Sequence, residues 1–262
     1  MPRSGALVLL AAAAALPARA QVEAFRHDPS RVPVGRVFQY LKSNRDGSRA
    51  GRVSLYVAKP ERLESLKWDD EVGWATLVIA DLDWTRFSVR RFESWKLRQA
   101  KEPVLQAVME TSPAGDLSVS VLPGPPVRPA SWPWHSYDFD FASLGIALAQ
   151  LRKPEAPFRF ERIDFVQKDE AVSFVDLGAV NVAYEARETR EGKATRRYKI
   201  GGPGLEGTSG TLWADLDRGH IVEFELPIPD EPGFVDGRLR LLEVVPMAPE
   251  AWEAFKRSRL GE

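Results

Sequence analysis

Residues 209–229 (SGTLWADLDRGHIVEFELPIP) constrain the fold most, because two alternating runs flank a short turn. Apolar and polar residues alternate over 211–216 and again over 221–226, with the period of two expected for a strand with one dry face. Asp217 and Gly219 lie between the runs, and they supply the side-chain bond to the backbone and the positive φ that tight hairpins favour. The segment therefore predicts a β-hairpin.

Weaker copies of this pattern predict strands on both sides of the hairpin. A phase slip near Arg90 and Arg91 predicts a β-bulge, and Asn44 to Gly47 reads as a turn. Residues 60–68 predict one or two helical turns that begin at a proline, and 104–111 fit a helix face as well as a strand. The predicted strands cover 36–43, 52–58, 74–84, 85–97, 104–111, 117–122, 158–166, 171–177, 179–187, 193–200 and 238–245.

Two helices are predicted, at 142–152 and 249–260. Asp140 is a candidate N-cap for the first helix, and Pro154 ends it. The preceding stretch, 123–133, contains five prolines and excludes regular structure. Because aromatic residues follow at once, we interpret 123–141 as an ordered segment that crosses the core and not as a solvated linker.

The predicted fold class is mostly β (α+β), a long antiparallel meander curved into an open or half barrel with an internal and a C-terminal helix. Hairpins in succession predict antiparallel pairing. Several strands are apolar on both faces, whereas an antiparallel sheet normally wets one face. With so little helix to cover them, the sheet is expected to curl around a hollow. We expect one domain over 35–262, preceded by an N-terminal arm over 21–34.

Residues 1–20 have the pattern of a secretory signal peptide. A basic start precedes an apolar run too short to span a bilayer, and Ala18-Arg19-Ala20 is a small-x-small cleavage site. Cleavage near Ala20 predicts a periplasmic or secreted protein. No second apolar segment approaches the length of a membrane span, so no transmembrane segment is predicted.

Composition excludes several classes of function. The chain has no cysteine, which removes disulfides, thiol catalysis, zinc-thiolate sites and iron–sulfur clusters. Loss of the leader, with Arg3 and Arg19, changes the formal charge from −1 to −3, and this near balance argues against nucleic acid as a partner. No cofactor is predicted. With 8 Trp and 13 Phe, the chain has enough apolar bulk for a large core.

None of the candidate motifs for catalysis, cofactor binding or metal binding predicts such a site. Gly202 to Gly207 match G-x-G-x-x-G, but a strand follows where the dinucleotide motif needs a helix. Asp215, Asp217 and His220 could supply oxygen and nitrogen ligands to a metal. A solvated turn accounts for the same three residues, so no metal site is predicted. Pairs such as Asp81/Asp83 lie on one strand face and do not form an acid–base pair across a cleft.

The candidate ligand-binding residues are aromatic and basic. Trp132, Trp134, His135 and Tyr137 follow the proline-rich stretch and are predicted to form the mouth of an apolar site, although a satisfied, half-buried histidine is the better explanation of His135 alone. Arg90 and Arg91 lie in a basic strand and are predicted to contact an anionic head group. A charged face that resists aggregation explains them too.

The layout of 35–245 resembles the periplasmic half-barrels of the lipoprotein-carrier (LolA/LolB-like) superfamily. The resemblance is carried by the leader, the absence of cysteine, the antiparallel meander and the internal helix DFASLGIALAQLR. It implies an unclosed barrel that shelters acyl chains, and it transfers no specific residue. The sequence thus predicts a non-enzymatic periplasmic protein that binds a lipid-like ligand. An envelope protein-interaction module and a hydrolase with a dispersed Asp/Glu/His site remain alternatives.

Overall fold

A computed structural model of the chain describes residues 22–68, 73–120, 125–168, 171–229, 231 and 233–260. Within these residues, fourteen strands form one sheet. They are β1 (Arg36–Ser43), β2 (Gly51–Lys59), β3 (Arg62–Trp68), β4 (Trp74–Asp83), β5 (Ser88–Arg98), β6 (Lys101–Thr111), β7 (Leu117–Val119), β8 (Trp134–His135), β9 (Phe158–Lys168), β10 (Ala171–Arg190), β11 (Lys193–Gly201), β12 (Ser209–Asp215), β13 (Ile221–Leu226) and β14 (Gly237–Pro246).

The strand order is β7-β6-β5-β4-β3-β2-β1-β14-β13-β12-β11-β10-β9-β8. Neighbouring strands are antiparallel, except that β8 pairs in parallel with β9. The sheet is curved and unclosed, which confirms the predicted fold class. The two helices are α1 (Ala142–Ala147), followed by a 3-10 turn at Leu148–Gln150, and α2 (Pro249–Ser258). None of the described helices is long and apolar enough to cross a bilayer.

The concave face of the sheet holds the main core. Helix α1 lies inside it, and all of its residues are buried. Its aromatic neighbours pack in edge contacts, with the Phe141 ring 5.6 Å from Phe160 and 5.8 Å from Phe224. The N-terminal arm joins the same core through Phe25 and through a bond of 2.7 Å from Asp28 N to the Gln150 side chain. The concave face is therefore largely filled by the chain itself.

The convex face is covered by helix α2 in one half and is exposed to solvent in the other. Helix α2 packs Trp252 against Tyr56, with ring centroids 5.1 Å apart, and so covers the outer faces of β1 to β5. On the opposite half, Arg190 and Arg238 each form a 2.7 Å ion pair with the buried carboxylate of Glu223. The strands that are apolar on both faces are therefore those beneath α2.

Several local predictions are confirmed. β12 and β13 form the predicted hairpin. The register of β4 and β5 shifts between Asp81 and Leu82, which leaves Arg90 as the bulged residue. Glu191 and Gly192, both with positive φ, connect β10 to β11 in the two-residue turn that such hairpins require. Residues 104–111 are in a strand, and α2 buries Trp252 as expected.

Two predictions about the strands are wrong. Residues 60–68 are not helical, because 62–68 form β3 and put Leu63 in the concave core and Leu66 under α2. Side chains three apart lie on opposite faces of a strand, so the same apolar pair serves two cores. The predicted strands 171–177 and 179–187 are one strand, because Leu177 and Gly178 (φ 97°) form a bulge and not a turn.

The predicted cap of the first helix is also wrong. Phe141 is the N-cap residue of α1, and it makes no side-chain capping bond. Asp140 instead points to basic residues on the sheet, as described below. The helical turn ends at Gln150, two residues earlier than predicted. The leader predicted at 1–20 lies outside the described residues. Pro203–Leu205 form a 3-10 turn before β12, as expected for a chance glycine match.

Candidate functional site

The segment 131–141 crosses the concave face and connects β5, in one half of the sheet, with β9, in the other half. Trp134 and His135 form β8 against Glu161 and Arg162 of β9. On the other side, Trp134 N donates to Ser88 Oγ of β5 at 2.8 Å. The proline-rich sequence explains why this segment adds only a two-residue strand, since proline cannot donate to a ladder. The interpretation of an ordered, core-packed segment is confirmed for residues 131–141, most of which are buried.

A buried polar network holds the middle of this crossing segment. Ser136 Oγ donates to the Asp164 carboxylate, and Asp138 N donates to the same oxygen at 3.1 Å. Arg162 forms an ion pair with Asp164 and also donates to the carbonyl of Gly204 at 3.1 Å. Desolvation raises the pKa of Asp164, although the Arg162 guanidinium acts in the opposite direction. The segment is therefore fixed to β9 by side chains as well as by backbone.

Asp140 fixes the other end of the crossing segment. Asp140 is 3% exposed, and its carboxylate lies 2.6 Å from Lys67 Nζ and 3.5 Å from Lys42 Nζ. Asp140 and Phe141 both have positive φ, so the chain reverses sharply before α1 begins. Asp140 thus anchors the turn into α1 on strands β1 and β3.

Beside this segment lies a depression that we call the Trp134 recess, with a volume of about 270 Å³. Its walls come from β4, β5, β6, β9 and the crossing segment. Seven apolar side chains line it, namely Val78, Val89, Phe92, Ala107, Trp134, Phe139 and Phe165, together with Ser94, Gln106, Ser136 and Asp138. The Phe92 and Phe165 rings meet edge to face at 5.7 Å.

The four predicted mouth residues lie on one segment but do not share one site. Trp134 is fully buried and lines the recess. His135 is fully buried in the core, where its ring lies 5.3 Å from Phe160. Tyr137 stacks on Phe141 at 5.3 Å, and Trp132 lies under the Arg86 guanidinium at 4.7 Å. The structure therefore places Trp134 at the recess and the other three residues away from its walls.

Arg90 and Arg91 have different surroundings. Arg90 is exposed at the β-bulge. Arg91 Nη2 lies 2.6 Å from a Glu93 carboxylate oxygen, and Arg91 also forms an ion pair with Glu110. Neither arginine lines the recess. A head-group contact by these residues stays a prediction, with Arg90 the more available of the two.

His135 and Ser143 form a buried pair, with His135 Nδ1 2.9 Å from Ser143 Oγ. Burial lowers the pKa of His135 to about 3, so its imidazole is neutral at pH 7. Ser143 is 2% exposed, and a nucleophile needs access to its substrate. This pair therefore joins α1 to β8 and does not have the geometry of a reactive serine.

The turn between β12 and β13 contains the residues considered as metal ligands. Asp215 Oδ1 accepts backbone bonds of 3.1 Å from Asp217 N and 2.7 Å from Arg218 N, which is turn chemistry. His220 is buried against Phe38, with ring centroids 5.1 Å apart. In the part of the chain that the structure describes, no three Asp, Glu or His side chains converge as a metal site.

Sequence reasoning missed most of the recess. Phe92 carried a signal, because it lies out of phase with Val89 and the bulge at Arg90 returns it to the inner face. Phe139 belongs to the same aromatic-rich run as Trp134, whereas Ala107 and Phe165 carried no signal, because they come from strands whose proximity depends on how the sheet curves.

Comparisons with known proteins give structural matches but no sequence match. No protein-family model matches the chain, and no curated protein matches it. Among solved structures, it is similar to a domain from Vibrio parahaemolyticus, provisionally designated an outer membrane lipoprotein-sorting protein domain. The identity is 10%, the TM-score is 0.32, and the match covers 94% of this chain and 100% of that one. At those values the match carries no inference about what this chain binds.

Proposed function

We propose that this protein binds a small hydrophobic or amphipathic ligand in the Trp134 recess and acts without catalysis. The observation that supports the proposal is an apolar depression of about 270 Å³ with seven apolar side chains in its walls. Sites for small molecules are concave and mostly apolar, with a few polar groups that orient the ligand. In the recess, Ser94 and Gln106 supply such groups.

The size of the recess indicates the class of ligand. Pockets for small molecules measure about 300–1,000 Å³, and the volume of the Trp134 recess, about 270 Å³, is just below that range. It suits one hydrocarbon chain or one small aromatic amphiphile better than a lipid with several acyl chains. Helix α1 and the crossing segment occupy the space that additional chains would need.

The predicted leader at 1–20 supports a periplasmic or secreted setting, in which an apolar compound needs a carrier to pass through water. The ligand would enter beside Asp138, which is exposed next to the buried Phe139. Arg90 remains our candidate for a contact with an anionic head group. The proposed role is therefore that of a carrier or receptor for a lipid-like compound.

A filling substitution tests the proposal. Ala107→Phe adds a ring to the recess wall, and Ala183→Phe adds the same ring on an exposed position of β10. Phenylnaphthylamine, a neutral fluorescent probe, is titrated into each protein after circular dichroism has confirmed folding. We expect saturable binding by the native protein and by Ala183→Phe, and at least about tenfold weaker binding by Ala107→Phe.

Native mass spectrometry of protein purified from its host complements this titration. A co-purified lipid-sized mass that is absent from Ala107→Phe supports the proposal. Equal binding by both variants, or no saturable binding by the native protein, would overturn it. Co-purification of a protein in place of a lipid would favour the interaction module.

A further inference from the structure

A second cavity, of about 340 Å³, lies at the other end of the internal helical turn. It is open to solvent and is bordered by the N-terminal arm, the start of β1, the end of α1 with its 3-10 turn, β14, and the turn between β12 and β13. We call it the arginine pocket. Its lining residues are Ser30, Arg31, Pro33, Arg36, Phe38, Gly145, Ile146, Ala149, Asp217, Arg218, His220 and Val244.

The charges around the arginine pocket are unbalanced. Arg31, Arg36 and Arg218 line it together with one carboxylate, that of Asp217, which leaves an excess of two positive charges. Arg31 Nη2 lies 3.4 Å from the Asp217 carbonyl oxygen. Among the residues that the structure describes, no carboxylate oxygen lies within 4.0 Å of any of these three guanidinium groups. Guanidinium groups present several N–H donors in a fixed plane, which matches carboxylate and phosphate oxygens.

The floor of the pocket is apolar. Phe38 belongs to the core and is 2% exposed, and Ile146 of α1 is also 2% exposed. Ala149 and Val244 complete the floor. A simple inorganic anion would leave this surface unused, so the arrangement suits an anion that carries a compact apolar group.

His220 lies in the wall of the pocket and can report on what binds there. Its side chain lines the pocket, only 7% of the residue is exposed, and Nε2 has no hydrogen-bond partner in the described structure. Buried polar atoms in proteins are nearly always bonded. Burial, opposed by the Asp215 carboxylate, lowers the pKa of His220 to about 4. The imidazole is therefore neutral at pH 7, and the positive charge at the pocket comes from the three arginines.

The position of His220 is fixed by the turn that carries it. Gly219 has φ 77°, and a Cβ on it would lie 2.7 Å from Ala149 Cα. The turn is thus pressed against the backbone of the helical segment, which holds Arg218 and His220 at the pocket. The site is built from packed elements and not from a free loop.

We propose that the arginine pocket binds a small organic anion, a carboxylate or phosphate group attached to a compact apolar group. The anionic oxygens contact Arg36 and Arg218 beside the His220 ring, and the apolar group lies on Phe38 and Ile146. The inference is independent of the Trp134 recess, because the two cavities share no lining residue.

Nuclear magnetic resonance of the histidine side chains tests this site directly, because the chain contains three histidines. Hexanoate and phenyl phosphate are the anionic probes, and hexanol is the neutral control. We expect both anions to shift the His220 imidazole resonances in a saturable way, with a dissociation constant on the order of 1 mM at low salt. Added salt weakens the interaction, because screening reduces attraction between exposed charges. Hexanol should leave the His220 signal in place.

Arginine substitutions separate this site from general attraction between charges. We expect Arg36→Gln and Arg218→Gln each to weaken hexanoate binding about tenfold. Arg98→Gln is the matched control, because Arg98 is exposed at the end of β5, and it should bind hexanoate as the native protein does. Equal weakening by all three variants, or no His220 shift at 20-fold the expected dissociation constant of about 1 mM, would overturn the proposal. Ala107→Phe should leave the His220 response intact. Loss of binding in the Trp134 recess can therefore be distinguished from loss of binding in the arginine pocket.

Discussion

Ser88 Oγ accepts a hydrogen bond of 2.8 Å from Trp134 N, and this contact joins β5 to the segment that crosses the concave face. Ser88 is 1% exposed and Trp134 is fully buried. The other side of the crossing segment pairs with β9. The two halves of an unclosed sheet are thus connected through a two-residue strand, and the Trp134 recess forms beside this connection.

Ser88→Ala should destabilise the protein by about 1–3 kcal/mol, because it leaves the buried N–H of Trp134 without an acceptor. Urea unfolding followed by tryptophan fluorescence measures the change in the free energy of unfolding. Ser118→Ala on the exposed face of β7 is the matched control, and we expect a change within about 0.5 kcal/mol. Equal effects of the two substitutions would show that the contact does not hold the crossing segment.

Asp140→Asn should be more damaging than Ser88→Ala. The substitution removes the buried carboxylate that pairs with Lys67 at 2.6 Å and lies 3.5 Å from Lys42, whose 2.6 Å ion pair with Glu231 remains. Breaking a buried ion pair from one side costs about 3–5 kcal/mol. Thermal unfolding of Asp140→Asn is compared with Asp116→Asn, in which the lost partner is the exposed Arg128. A similar melting temperature for the two variants would contradict the anchoring role of Asp140.

Stability should fall as the pH decreases below about 6.5, because two histidines are buried in the neutral form. The folded-state pKa is about 3 for His135 and about 4 for His220, and both values lie below the ordinary value of 6.5. Between those values the unfolded chain binds a proton that the folded chain does not. The stabilising contribution is therefore complete above pH 6.5 and is lost as the pH falls toward the folded-state values.

At pH 5 each histidine should account for about 2 kcal/mol of lost stability relative to neutral pH. His135→Gln removes one titrating group, so the free energy of unfolding measured in urea between pH 7 and pH 5 should vary less than in the native protein. His220→Gln should give a similar reduction. Full retention of the native slope in both variants would be inconsistent with neutral buried imidazoles.

The sequence predicted local features of the fold well, because the formation of strands and turns depends mainly on residues that are close together in the sequence. The hairpin at 209–229 and the bulge at Arg90 both follow from the period of two and its interruption. Leu63 and Leu66 were misread as a helix face because a spacing of three is ambiguous until the partners on the two faces are known. In the structure the two residues lie in separate clusters.

The sites could be predicted only in part, because they depend on contacts between distant segments. Trp134 was identified from local aromatic density, but Phe92 and Phe165 meet it only after β5 and β9 curve toward each other. Asp140 looked like a helix cap because Lys42 and Lys67 are far away in the sequence. His220 was considered as a metal ligand, whereas its pocket is built with Arg36 and the end of α1, which are remote in the chain.

Gly219→Ala should separate the strain of a turn from the docking of that turn on the helical segment. Gly219 and Gly47 both have positive φ, at 77° and 88°, so alanine at either position carries a backbone cost of about 1–2 kcal/mol. A Cβ at Gly47 meets no atom within 4 Å, whereas one at Gly219 would lie 2.7 Å from Ala149 Cα. We expect Gly219→Ala to lower the free energy of unfolding by an additional 1–3 kcal/mol, about the cost of overpacking a core. Equal losses measured in urea would mean that the turn does not press on the helical segment, and the fixed position assigned to His220 would then be wrong.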